Sequence, residues 1–167
     1  TGRSTTFNAG LIEFRGEVYY ANYIFDLEDI WETVPGQISL GAEATHMSDY
    51  NVSVTGTTFT SPDNTVSQPD WTARFDAAYT NGPLRLTYQL SYLDNVLAEE
   101  GANIENSPNP VIDSNITQDV SASYAFENGL TLRGGVINIA DKEPSYPTLS
   151  YGDILGRRYF VGVNYSF

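Results

Sequence analysis

Seven stretches of this chain alternate apolar and polar side chains with a period of two, and that periodicity constrains the fold more than any other feature. Residues two apart in a strand share a face, so each stretch reads as a strand with one greasy and one polar side. The clearest is Leu84 to Asp94, where Leu84, Leu86, Tyr88, Leu90 and Tyr92 oppose Arg85, Thr87, Gln89 and Ser91. In the stretch before it, Trp71, Ala73, Phe75, Ala77 and Tyr79 oppose Thr72, Arg74, Asp76, Ala78 and Thr80. Ile116, Val120, Ala122, Tyr124 and Phe126 repeat the pattern, with Gln118 as one polar exception. Leu130, Leu132, Gly134 and Val136 oppose Thr131, Arg133 and Gly135, and Ile38, Leu40, Ala42 and Ala44 oppose Ser39, Gly41, Glu43 and Thr45. The final stretch puts Tyr159, Val161, Val163, Tyr165 and Phe167 on one side. The first, roughly Asn8 to Leu27, opens with Ile12, Phe14, Gly16, Val18 and Tyr20 against Glu13, Arg15 and Glu17. Beyond Tyr20 its parity blurs, as a bulge would make it do.

Composition narrows what such an all-β chain does. It has no cysteine, which removes disulfides, thiol nucleophiles and thiolate metal sites together. Acidic residues outnumber basic ones 21 to 8, a balance that repels nucleic-acid phosphates. No stretch approaches the roughly 20 apolar residues of a membrane helix. The mean hydropathy of −0.28 is that of a soluble protein. A membrane barrel is equally polar, because every second residue faces its lumen.

The connections alternate in length. Thr80-Asn81-Gly82-Pro83 and Glu127-Asn128-Gly129 are tight hairpins, since Asn-Gly supplies the positive φ that a two-residue turn needs. Ser48–Pro69, Asn95–Ser114 and Asp141–Gly156 are long and polar, and Glu28–Gly36 is intermediate. Outer-membrane barrels keep short turns on the periplasmic side and long loops outside. That rule orients every strand and makes the C-terminus periplasmic. Tyr79, Tyr124, Phe126, Tyr165 and Phe167 then fall at the periplasmic rim, and Trp71, Tyr92 and Tyr159 at the outer rim. The same residues would also serve as the core of a soluble β-sandwich. The consistent polarity opposite the greasy faces favours the membrane barrel, and the sandwich stays open as the alternative.

The chemistry-bearing residues suggest no enzyme. Glu99, Glu100, Glu105 and Asp113 share one loop, but the spacing lacks the Asp/Asn-Gly pattern of a calcium loop, so a solvated acidic loop is expected. His46 has no partner histidine nearby and reads as an interface residue. No serine occupies a Gly-x-Ser-x-Gly elbow, and one histidine cannot complete a triad. Arg74, Asp76, Arg85, Gln89, Arg133 and Arg158 face the expected lumen, where pairing with each other or with a plug outweighs direct solute contact.

Several motifs then carry a resemblance. Asn138-Ile139-Ala140-Asp141-Lys142-Glu143-Pro144 resembles the Asn-Leu-Phe-Asp-Lys stretch before the last extracellular loop of TonB-dependent outer-membrane receptors. Ala140 is small where that family usually has an aromatic. The run from Tyr151 to Gly162 is similar to the Gly-Arg-aromatic-aromatic opening of their final strand, and Phe167 to their terminal aromatic. Val34-Pro35-Gly36 and Pro69-Asp70-Trp71 resemble strand openings in the same receptors. The resemblance implies that residues 1–167 are about seven C-terminal strands of a transmembrane antiparallel barrel of 22 strands, with plug, TonB box and signal peptide elsewhere. Seven is odd, and single-chain bacterial barrels close with an even number.

It further implies active uptake of a scarce solute, of carbohydrate or siderophore class, with no catalysis, cofactor or metal. The partners implied are outer-membrane lipid and lipopolysaccharide, the TonB complex through the N-terminal region, and the barrel-assembly machinery. Tyr165 and Phe167 serve that machinery as the assembly signal, and nucleic acid is not a partner. A passive porin or an adhesin-like barrel would use the same strands without a plug.

Overall fold

Seven long strands form one antiparallel sheet in the computed structural model, which describes residues 10–167. Strands β1 (Leu11–Asp26), β2 (Gln37–Ser53), β3 (Trp71–Asn81) and β4 (Leu84–Leu93) follow one another across the sheet. Two short strands, β5 (Val96–Leu97) and β6 (Val111–Ile112), pair with each other inside the next connection. Strands β7 (Asn115–Ala125), β8 (Leu130–Ile137) and β9 (Arg158–Tyr165) complete the order β1-β2-β3-β4-β7-β8-β9. All seven expected segments are strands, in a meander with each paired to its sequence neighbour. The sheet is open: β1 and β9 are its two edges. Asn8 and Ala9 of the expected first segment lie outside the described residues.

Register sorts the side chains onto two faces, because directly opposed residues of an antiparallel pair share a side. Leu40, Ala77, Tyr88, Val120, Val136 and Tyr159 form one transverse row of the apolar face. Gly41, Asp76, Gln89 and Asp119 form the neighbouring row on the polar face. No second layer covers the apolar side among the described residues. Val161 is 85 % exposed and Tyr159 73 %. The buried hydrophobic cluster instead sits outside the sheet, where Val96, Ile112 and Tyr151 meet in the long connections.

Pairs of aromatic rings mark the two ends of the apolar face, with Phe75 and Tyr88 between them. At the end with the Asn-Gly turns, Tyr23 and Phe25, Tyr124 and Phe126, and Tyr165 and Phe167 pair two apart along their strands, with ring centroids 5.5, 4.7 and 6.2 Å apart. At the other end Trp71 stacks on His46 at 4.3 Å and on Tyr19 at 6.2 Å. Trp71 and Tyr79 stand about 26 Å apart along β3 at 3.3 Å per residue.

Three expectations need correction. β2 runs on to Ser53, so the connection expected from Ser48 starts later. The bulge lies between Arg15 and Gly16 of β1, opposite Asp49 and Met47, and not beyond Tyr20. Ser48 is the extra residue, and its Oγ donates to the Arg15 carbonyl at 3.3 Å.

The third correction concerns which face the first segment's stripe occupies. Tyr20 opposes Glu43, and Asn22 opposes Gly41, which puts Gly16, Val18 and Tyr20 on the polar face. Tyr19, Ala21, Tyr23 and Phe25 take the apolar one. Past the start of β3, β1 and β2 extend together about 20 Å further, a stretch that includes the bulge. There Ile12 and Phe14 pair with Val52 and Tyr50 on the continuation of the polar face, while Arg15 bridges Asp49 at 3.3 Å on the other. A sequence pattern reports alternation, but which side is which depends on register, and one inserted residue reverses it.

Candidate functional site

The polar face carries a hollow of about 460 Å³. Its floor is a transverse row of small side chains, Ser39, Ala78, Thr87 and Ser121, running across four strands. Thr87 and Ser121 hydroxyls hydrogen-bond across the floor at 2.5 Å. The Phe160 ring lies over Gly135 and closes one end, since a Cβ on Gly135 would stand 2.7 Å from that ring. Asn22, Asp76, Gln89 and Asp119 form the wall toward the long connections. Arg85 stands on the opposite wall, and Arg133 follows two strands along the same row beyond Ser123.

The expected lumen residues Arg74, Asp76, Arg85, Gln89, Arg133 and Arg158 therefore share one face, and they differ in how they are occupied. Arg74 donates to both Asp76 oxygens at 2.9–3.1 Å, an exposed pair worth up to about 1 kcal/mol. Arg158 donates to Asp153 Oδ1 at 2.8 Å. Gln89 reaches Ser91 at 3.4 Å, and Arg85 reaches only the Thr80 hydroxyl, at 3.4 Å. Arg133 lies against Gly162, where a Cβ would stand 2.6 Å from its Nε. Among the described residues neither Arg85 nor Arg133 forms a salt bridge.

The long connections meet above this face in an ordered cap. Tyr151 packs on Val96 and Ile112, with Val66, Leu93 and Ala98 around them, so residues from three connections share one small core. Its hydroxyl donates to the Asp94 carbonyl at 2.5 Å. Asn115, fully buried at the start of β7, donates to the Glu143 and Tyr151 carbonyls at 2.9 and 3.4 Å and to Ser145 Oγ at 3.2 Å. Gly152 has φ +128°, and a Cβ there would stand 2.6 Å from the Asn115 amide, so glycine is required on both counts.

The Asn138–Lys142 motif closes the base of the last connection. Asn138 is fully buried, exchanging hydrogen bonds of 2.8 Å with the Lys142 backbone in both directions. Asp141 accepts the Arg157 N–H at 2.8 Å, tying the end of that connection to its beginning.

Burial, with the nearby Asp94 charge second, pushes the Tyr151 phenol up to about 12. The neutral phenol is the buried form, so its contribution is complete below the ordinary value of about 10 and is lost as pH rises through 12. A difference titration by phenolate absorbance, wild type minus Tyr151→Phe, is expected to show one group ionising near 12. Ionisation near 10 would place this phenol in solvent. Burial also raises the Asp70 carboxyl, with Asp63 and Asp94 adding to it. Asp153 goes the other way: burial opposes ionisation, but the Arg158 hydrogen bond and charge outweigh it and hold the carboxyl below its usual range.

The remaining candidates separate. Glu100 accepts the Ser61 N–H at 3.0 Å, and no three acidic or histidine side chains among the described residues converge on a cation position. Glu99, Glu105 and Asp113 form no shared site with it. His46 sits at the long-connection end of the apolar face, stacked on Trp71, with Nδ1 3.0 Å from Glu17 Oε2. Tyr165 ends β9, and Phe167 beyond it is fully exposed.

Comparison with family models, curated proteins and solved structures finds no match. The Tyr151–Asn115 hub escaped the sequence reading. Its local signals were Gly152 and the Asn138-to-Lys142 motif, neither of which says what the residues touch.

Proposed function

We propose that the seven strands are a sector of an outer-membrane β-barrel, the wall of a TonB-dependent receptor that imports a scarce solute. One observation carries this reading. A single-layer sheet leaves its apolar face uncovered between two bands of aromatic rings, while its other face is polar and holds the hollow. Lipid is the solvent that such a face fits, and barrels keep an apolar band about 25 Å tall between aromatic girdles. The division into Asn-Gly turns at one end and an ordered cap of long connections at the other supports the same orientation, with the C-terminus periplasmic. The motifs around Asn138 and Tyr151 support the family.

In this reading the cap captures solute outside, and the polar face lines its route past a plug driven by the TonB complex. Unpaired backbone groups in hydrocarbon cost several kcal/mol each. Further strands must therefore pair with β1 and β9 to close the wall. The terminal aromatics Tyr165 and Phe167 act as the recognition signal for the assembly machinery.

Cysteines placed at Asp63 and Asn103 in the full-length protein should react with an impermeant thiol reagent on intact cells, and one at Asn128 should not. Labelling at Asn128 alone would invert the topology. Recovery of the protein in the soluble fraction, with a second sheet packed on the apolar face, would replace the barrel with a sandwich.

A further inference from the structure

The hollow has two walls of different chemistry, and that difference specifies a ligand. The wall toward the cap presents amides and carboxylates, Asn22, Asp76 and Gln89 among them, which accept hydrogen bonds from hydroxyl groups or donate to them, and the Arg74 guanidinium on that side is held by Asp76. Arg85 occupies the other wall. In a chain with 21 acidic residues and 8 basic ones, a guanidinium has many carboxylates to pair with. Among the described residues Arg85 nevertheless reaches only the Thr80 hydroxyl, at 3.4 Å, and is flanked in its row by Thr80 and Ser123. Arg133, also outside any salt bridge, lies two strands along that row, roughly 10 Å away at 4.8 Å per strand. Its side chain lies against Gly162, where a Cβ would stand 2.6 Å from Nε. Arg74, by contrast, is occupied by Asp76.

We infer that the hollow binds a hydroxylated solute carrying one anionic group, with Arg85 taking the anion, Arg133 adding to its field, and Gln89 and Asp76 taking hydroxyls. An arginine fork matches the oxygens of a carboxylate or a phosphate, and either source of the anion fits. The small floor side chains leave room for a ring, and a volume of 460 Å³ lies within the range of small-ligand pockets. The inference rests on the proposed transport reading, and it names the solute class of that same face.

The test uses the full-length folded protein, whichever compartment it is purified from, and calorimetric titration with glucose, glucuronate and glucose 6-phosphate. The three share a ring and differ in the anion. Glucuronate or glucose 6-phosphate should bind more tightly than glucose, and the tighter of the two identifies the anion as carboxylate or phosphate. Arg85→Gln should weaken the anionic sugar by about tenfold or more and leave glucose unchanged, Arg133→Gln should weaken it by a smaller factor, and Gln89→Ala should weaken all three. Absence of binding, equal binding of the three sugars, or an anionic preference that survives Arg85→Gln would each overturn the inference. Fractionation of cells reads the transport proposal separately: a protein found outside the membrane defeats that proposal whatever the sugars do.

Discussion

Leu90→Arg is expected to destabilise the protein by about 2 to 4 kcal/mol, the cost of a cationic side chain on the lipid side of a barrel near mid-bilayer. Leu90 lies on the apolar face between Phe75 of β3 and Gln118 of β7, away from both aromatic ends. Thr87→Arg provides the contrast, since it enters the polar face. It should cost only the Thr87–Ser121 hydrogen bond, on the order of 1 kcal/mol. The comparison is made on the full-length protein by denaturant-dependent folding into lipid vesicles. Equal losses from the two would mean that lipid does not cover the Leu90 face. Gln118 already shows how polarity is accommodated there: its amide oxygen accepts a hydrogen bond from the Tyr88 hydroxyl at 3.0 Å, which gives both of those atoms a partner on that face.

The second large effect should come from Tyr151. Truncating a large buried aromatic to alanine costs about 3 to 5 kcal/mol, and here the loss falls on the cap. Tyr151 is 3 % exposed, and it is the residue through which the β8–β9 connection joins Val96 and Ile112 of the β4–β7 connection. Tyr151→Ala should therefore release both connections together, read as loss of hydrogen-exchange protection at Val96–Leu97 and Val111–Ile112 with the seven-stranded sheet still protected. Tyr151→Phe should lose only the hydrogen bond to Asp94, about 1 kcal/mol. If Tyr151→Ala left the β5–β6 pair protected, the hub would not be what orders the cap.

The cap and the sheet differ in how far they were legible. Alternation in Leu84 to Asp94 and the Asn81-Gly82 turn are local, and together they placed β3 and β4 almost to the residue. Arg74, Asp76, Arg85 and Gln89 could be put on one face for the same reason. Nothing local marked Val96 and Ile112 as a strand pair, because two residues carry no period and their partners lie in other connections. No local pattern singled out Asn115. Only the fold brings Glu143, Ser145 and Tyr151 to it.

The sequence by itself therefore determined seven antiparallel strands, their polar and apolar sides from Gln37 onward except above the bulge in β2, and the alternation of tight and long connections, since each follows from backbone pleat and turn sterics within a few residues. Tertiary structure alone decided the rest. The single extra residue Ser48 sets Arg15 opposite Asp49, and register then assigns Ile12, Phe14 and Tyr20 to the polar side. The small side chains of four strands align into one floor only when those strands are in place. The cap orders only because Tyr151, distant in sequence from Asp94, can bury its ring against Val96 and Ile112 once the sheet has set the starting points of all three connections.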